Sequence, residues 1–300
     1  MIWSVVSKEE MDGYAIPPVF KYYREVVGKE NIKLAVVDES DPLDFVGPDD
    51  IVLLRTASPD LISSISRKKV RSTAESIECY KLTGNKSALS SFLKSHGVLV
   101  PRVYPYPYSE LTESGNYFVK PNFGAESFGI TRDNICLGKT AVERQIRIME
   151  TMYEFMGPLI VEDFIFGLDA TVAVYRTRSN ELKAHAIGIE CNEVCGIQTH
   201  TGKFGYDEYC CAITGKWREQ LCEISRKVFD LLGLKHHARI DFRVTPEGNF
   251  YLIDVNLIPG LGPSAHFAKC LLLTENLSYR DAIIAIIESA SLPSSTKSTK

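Results

Sequence analysis

Between Ala238 and Asn256 charged and apolar residues alternate along two strand-like runs that a short turn connects. Side chains of a strand project to opposite faces in turn. Arg239, Asp241 and Arg243 therefore share one face of the first run, and Ile240, Phe242 and Val244 share the other. In the return run Leu252, Asp254 and Asn256 point one way, and Tyr251, Ile253 and Val255 the other. A two-residue turn at Glu247-Gly248 pairs Pro246 with Asn249, which sets Asp241 opposite Asp254 and Arg239 opposite Asn256. Two carboxylates then face each other across a hairpin.

Like charges in that position destabilise a sheet unless a cation or a shared proton compensates. Two carboxylates with an amide beside them are hard oxygen ligands that suit magnesium, with manganese as an alternative. Magnesium completes its shell with waters and substrate phosphates, so a nucleotide is the natural co-ligand. A solvated outer face with Arg243 as counterion is the competing explanation.

A second segment, Val119 to Ile130, ends a strand on Lys120 and continues through Gly124, Ser127 and Gly129. Such a loop presents an ammonium and backbone N–H groups to phosphates. Gly138-Lys139-Thr140 suggests a P-loop, but that pattern needs a glycine at position 133, where Asp133 stands. The tripeptide is read instead as a helix start.

Around these segments lie short apolar runs at Ile2 to Val6, Lys33 to Val37 and Ile51 to Leu54, with the rhythm of a small parallel βαβ sheet. The basic run Arg67 to Arg71 has no interleaved aromatics and reads as a solvated loop, not a nucleic-acid patch. One helix is expected over Ser76 to His96, then extended chain through Pro101, Pro105 and Pro107. Strands follow at 117–120, near 128–131 and at 159–164, with a helix over 140–155 between the last two. Four more strands (170–175, 182–190, 237–244, 250–255) and three helices (217–232, 265–272, 279–289) complete the pattern. The expected division is a βαβ domain over 1–75, a helix and lid subdomain over 76–165, a metal-site subdomain over 166–290 and a disordered tail over 291–300.

The 34 Lys and Arg against 38 Asp and Glu argue against a polyanion partner driven by bulk charge. No apolar run approaches the roughly 18 residues of a membrane span. Met1 to Ser7 has neither a basic n-region nor a cleavage site, so a cytoplasmic protein is expected. The eight cysteines fit a reducing compartment, and Cys79, Cys136, Cys222 and Cys270 sit in stretches suited to buried thiols. Cys191, Cys195, Cys210 and Cys211 with His200 offer soft ligands, but their spacing suits unligated thiols better than zinc.

Four motifs in order resemble the ATP-grasp superfamily, specifically carboxylate-amine ligases similar to D-alanyl-D-alanine ligase and the ribosomal-protein glutamate ligases. They are Lys81 to Lys86 running into Gly97-Val98 and Pro101; Val119 to Ile130; Ile160 to Ile165 with Gly167 and Asp169; and Arg239-x-Asp241 with Asp254-Val255-Asn256 and Pro259-Gly260. The resemblance covers Ser76 to Phe267. It implies a mixed α/β and α+β fold, in which a small N-terminal parallel-sheet domain accompanies two α+β subdomains that clamp ATP. It further implies that Lys81 and Lys120 contact phosphates under a lid spanning Gly124, Ser127 and Gly129. Glu162, Asp163 and Ile165 would meet adenine, and Asp169 would hold the ribose. Asp241, Asp254 and Asn256 would bind magnesium, Arg239 and the Gly260 N–H would steady an oxyanion, and Lys203 would reach the γ-phosphate. The implied reaction joins a small carboxylate to an amine, amino acids or a short peptide, through an acyl phosphate; a homodimer stays open. Two departures stand out: Asp254 replaces the usual Glu, and Met1 to Tyr14 lacks the Gly-rich motif with Glu found in D-alanyl-D-alanine ligases. A nucleotide-binding protein without turnover is the alternative of another class.

Overall fold

The computed structural model describes residues 1–11, 16–124, 129–152, 157–191 and 208–290, side chains excepted at 10–19, 191 and 208. Ser127, Lys203, Cys195, His200 and the tail from 291 lie outside the described residues. Three sheets organise the chain. The first is parallel, in the order β2-β1-β3-β4, from β1 (Ile2–Ser7), β2 (Ile32–Val37), β3 (Ile51–Leu54) and β4 (Arg71–Ser72). Helices α1 (Lys8–Met11), α2 (Ile16–Val27) and α3 (Pro59–Lys68) accompany it. The basic run expected as a loop is shared between the last turn of α3 and β4. Arg67 and Lys68 there meet the negative end of the helix dipole, and Lys69 ends the helix in the left-handed region.

The single helix expected over 76–96 is two, α4 (Ile77–Gly84) and α5 (Lys86–Ser95). Asn85 interrupts them in an extended conformation, and its side chain caps α5 by accepting the Ala88 N–H. Both helices contribute to the core beneath the third sheet, through Cys79, Leu89 and Leu93.

The second sheet is antiparallel, order β5-β8-β6-β7, from β5 (Val103–Tyr104), β6 (Asn116–Pro121), β7 (Ile135–Leu137) and β8 (Leu159–Asp163), with α6 (Lys139–Met152) against it. The strand expected near 128–131 lies instead at β7. Thr131 opens a 3-10 turn over Arg132–Asn134, and the buried Asn134 amide donates to the Val119 carbonyl. The Gly138-Lys139-Thr140 segment starts α6.

The third sheet, order β11-β10-β9-β12-β13, is antiparallel: β9 (Leu168–Arg176), β10 (Leu182–Cys191), β11 (Glu208–Ala212), β12 (His237–Val244) and β13 (Phe250–Asn256). Helix α7 (Gly215–Leu231) packs with α5 on one face, over Val172, Val174, Ile240 and Phe242. Helices α8 (His266–Glu275) and α9 (Tyr279–Ser289) pack on the other, over Ala173, Tyr175 and Ile187. Cys79, Cys136, Cys222 and Cys270 are buried free thiols. Cys210 and Cys211 are neighbours on β11, and no group of three His, Cys, Asp or Glu side chains converges among the described residues. Nor is any described helix long and apolar enough to cross a membrane.

Glu75, in the segment joining the first sheet to α4, is buried and accepts the N–H groups of Lys235 and His236 at 2.8–3.1 Å. It thereby pins the start of β12. Gly167 joins β8 to β9 at φ +154°, where a Cβ would sit 2.1 Å from the Val244 carbonyl oxygen. Only glycine fits there, so Gly167→Ala is expected to cost more than ~2 kcal/mol in a urea titration.

His185 and His237 are buried, and among the described residues His185 Nε2 and both His237 nitrogens have no hydrogen-bond partner. Burial holds both neutral, with pKa values of about 4 and about 3. Unfolding returns each to about 6.5, so below that pH the unfolded state takes up more protons. Stability contributed by the two rings should therefore fall as pH drops from 6.5 toward 4, by up to about 1.4 kcal/mol per unit for each. Glu75, raised by burial, has the opposite sign and loses its contribution as pH rises through its folded pKa. The expected result is a lower urea midpoint at pH 5 than at pH 7, with the difference reduced in a His185→Gln, His237→Gln double variant.

Candidate active site

The face of the third sheet that carries α8 and α9 also carries the charged residues of β9, β12 and β13. Cross-strand register places Asp241 beside Thr171 on β9 and opposite Asp254 on β13, with Arg239 opposite Asn256. This is the expected pairing, reached by a different route. The turn has three residues, since Thr245 pairs with Asn249, and a bulge at Ile253 restores the register before Asp254. The bulge also corrects the expected faces: Leu252 joins Phe250 and Val255 in the core, while Asp254 and Asn256 stay with Asp241.

Arg239 grips Asp241 through three bonds of 2.8–3.2 Å, and Thr171 Oγ1 donates to the same carboxylate at 2.6 Å. Burial works against the Arg239 charge, yet the Asp241 carboxylate more than offsets it and raises the guanidinium pKa. Asp254 forms no ion pair among the described residues, and Asn256 Oδ1 accepts the Ile258 N–H at 2.9 Å. A divalent cation fits this donor set: Asp254 and the Asn256 amide supply hard oxygens, and Asp241 would share its own with Arg239.

Asp169 lies across from Arg243, and their side chains meet at 2.8 Å. Arg243 also donates to the Ile165 carbonyl at 3.1 Å and stands over the Phe164 ring. Arg243 therefore serves Asp169 and the segment after β8, not the facing carboxylates, whose counterion is Arg239. Glu162 and Asp163 project to opposite faces of β8. Glu162 pairs with Lys120 at 2.6 Å, both buried, whereas Asp163 accepts from the Tyr104 hydroxyl at 2.7 Å.

The interruption at Asn85 determines which lysine reaches this region. Asn122, two residues past Lys120, accepts the Lys86 N–H on its carbonyl and the Ser87 N–H on its side chain. Lys86 thus opens α5 beside the second sheet and donates to the Gly124 carbonyl at 2.6 Å. Burial lowers its pKa and Lys120 adds to the effect, while the charges of Asp254 and Glu162 oppose it. Lys81 instead sits exposed on α4, near Glu78. Lys86 is the member of that pair which the fold brings to the carboxylates; the Asn-Lys pair after Gly84 was the available signal. Gly124 and Gly129 take φ of +101° and +71°, and Gly260 is exposed after a buried Pro259.

A family profile described as "D-ala D-ala ligase C-terminus" matches residues 112–288, more than half of the chain. The chain belongs to this family. Among family relatives, the D-alanine--D-alanine ligase of Maridesulfovibrio salexigens is 29% identical over 61% of this chain and 60% of its own. That of Aquifex aeolicus is 38% identical over 34% of each chain. The chain thus spans less than two thirds of these relatives' length. A crystal structure of D-alanine--D-alanine ligase from Bacillus anthracis complexed with ATP has the same fold, with a TM-score of 0.71, 96% of both chains covered and 16% identity. A D-Ala:D-Ser ligase from Enterococcus faecalis, VanG, superposes with a TM-score of 0.63 over 79% of this chain and 71% of its own, at 20% identity. The family's fold, an N-terminal parallel sheet with two antiparallel α+β subdomains, is the one expected from the motifs.

Removing an ammonium that contacts phosphate forfeits a charge-assisted bond of about 1.5–3 kcal/mol. Lys86→Ala should therefore weaken ATP at least about tenfold while AMP changes little, and Lys81→Ala should leave both unchanged. Calorimetric titration of the two variants checks this.

Proposed function

We propose that this chain is an ATP-dependent carboxylate-amine ligase that joins amino acids, or an amino acid and a short peptide, through an acyl phosphate. The observation that carries the proposal is the gathering of two cations, Lys86 of α5 and Lys120 of the second sheet, toward a carboxylate of the third: Lys86 lies against Gly124 and in the field of both Lys120 and Asp254. Phosphoryl transfer asks mainly for positioning and charge neutralisation. Lys86 and Lys120 would supply the positive charge that binds phosphates. Glu162 pairs with the buried Lys120 ammonium at 2.6 Å and so orients it.

Asp241, Asp254 and Asn256 would hold magnesium, which supplies neutralisation of phosphate charge when bound. Asp254 is one methylene shorter than Glu, which favours a single ion over a bridged pair. Asp169 would orient the ribose, with Arg243 fixing its carboxylate, and backbone groups of Glu162 to Ile165 would meet adenine. Arg239, oriented by Asp241, and the Gly260 N–H would steady the oxyanion formed as the amine attacks the acyl phosphate. The Gly124 to Gly129 loop, including Ser127, would exclude water from that intermediate, and Lys203 would add a γ-phosphate contact.

D-alanyl-D-alanine ligase activity is the specific form that the relatives' names favour. The absence of a Gly-rich motif with Glu in Met1 to Tyr14 favours another first substrate, and VanG, a D-Ala:D-Ser ligase of the same fold, is an example in which the partner of D-alanine differs. A panel of amino acids and dipeptides, tested in pairs with Mg-ATP for phosphate release and product mass, should reveal one pair that couples ATP consumption to an amide. Asp241→Asn should reduce that turnover by at least about 100-fold, in line with the several kcal/mol of charge stabilisation from a bound divalent ion. Nucleotide binding with no turnover across the panel would favour the non-catalytic alternative.

A further inference from the structure

The loop that follows β13 is tied at three points. Asn256 Oδ1 accepts the Ile258 N–H, Arg55 Nη2 donates to the Pro259 carbonyl at 2.7 Å, and the Tyr279 hydroxyl donates to the Leu261 carbonyl at 2.7 Å. The middle tie comes from the other end of the chain. Arg55 directly follows β3 of the N-terminal sheet, 204 residues before Pro259. Nothing in its local sequence marks it for this place.

A peptide group is planar and trans, so its C=O and N–H point in opposite directions. Anchoring the Pro259 oxygen on Arg55 therefore turns the Gly260 N–H away from Arg55. Pro259 is buried and Gly260 exposed, and among the described residues this N–H has no acceptor. A charged donor on the carbonyl also polarises the peptide, which strengthens the N–H on its far side as a donor.

The choice of arginine is itself informative. Its Nη1 is buried without a hydrogen-bond partner among the described residues, and the neutral His237 feels its charge. A neutral amide side chain would hold the carbonyl without the cost of burying an unsatisfied charged donor. The charge faces Tyr23, Tyr80 and Tyr279 as well, but its 2.7 Å hydrogen bond is to the Pro259 carbonyl, where it polarises the Pro259–Gly260 peptide.

We propose that Arg55 is a positioning residue for ligation, fixing and polarising this peptide so that the Gly260 N–H is preset to receive the oxyanion. The role rests on the ligase reading above. It also makes the N-terminal sheet a contributor to the chemistry of the third sheet.

Pro259-Gly260 is the one Pro-Gly pair in the sequence, so carbonyl-labelled proline with nitrogen-labelled glycine isolates its amide signal by NMR. Arg55→Met should shift the Gly260 nitrogen resonance upfield and, with the substrate pair found by the panel, lower kcat about tenfold to 100-fold per folded molecule. The KM for ATP should stay unchanged, because the nucleotide contacts are untouched. Arg55→Lys, which keeps one charged donor, should show both effects at reduced size; it decides the matter alone if the methionine variant does not fold. A tether with only a structural role would lower the yield of folded protein and leave kcat per folded molecule intact. Unchanged Gly260 resonance and unchanged kcat in an active enzyme would overturn the role of Arg55 alone. A resonance that shifts on Arg55 substitution, together with a wild-type protein that turns over no substrate pair, would overturn the ligase reading and with it the catalytic meaning of the tie.

Discussion

Two carboxylates held opposite each other on neighbouring strands repel, and much of this structure supplies what makes their pairing tolerable. Arg239 clasps Asp241 from the same strand, Thr171 donates from β9, and Lys86 brings positive charge toward Asp254 from α5. Neutralisation is uneven: Asp241 is saturated with donors, while Asp254 meets its cation at a distance. An incoming divalent ion would thus find Asp241 pre-oriented by Arg239, with which it would share the carboxylate, and Asp254 lightly engaged and, among the described residues, without an ion pair to give up.

How much of this was legible varies with how local each cause is. Alternation along 238–244 placed Arg239, Asp241 and Arg243 correctly, because strand geometry has a period of two and no bulge interrupts β12. The Asp241–Asp254 register was legible only through two compensating departures, one residue more in the turn and one in the bulge at Ile253. Position alone could not separate Lys81 from Lys86. That distinction depends on the helix break at Asn85 and on Asn122 docking against it. Arg243 was recognised as a charge of the right face, but its partner Asp169 is set by the β9–β12 register, which no short pattern encodes.

The buried ion pairs share a logic that bears on how the subdomains meet. Lys120 with Glu162 and Asp169 with Arg243 are each nearly removed from solvent. Isolated charges in such positions would be prohibitive, whereas pairing offsets much of the desolvation cost and fixes the geometry of both groups. Arg243 goes further, since its bond to the Ile165 carbonyl links β12 of the third sheet to the strand exit of the second. Gly167, pressed against the Val244 carbonyl, closes the same junction by steric fit. The two sheets are thus joined where adenine and ribose are proposed to lie.

The first sheet enters by a separate route. Glu75 fixes the N–H groups at the start of β12, and Arg55 holds the carbonyl just beyond the end of β13. Both ends of the hairpin that carries Arg239, Asp241, Asp254 and Asn256 are thereby referenced to the N-terminal sheet and its linker. The turn is hydrogen-bonded between Thr245 and Asn249, and a hairpin clamped at its two strand ends as well keeps its register, which the bulge at Ile253 makes worth protecting. A slip of one residue would send the carboxylates into the core and Leu252 out of it. The long-range contacts made by Glu75 and Arg55 therefore defend the alignment on which the pairing of Asp241 with Asp254 depends.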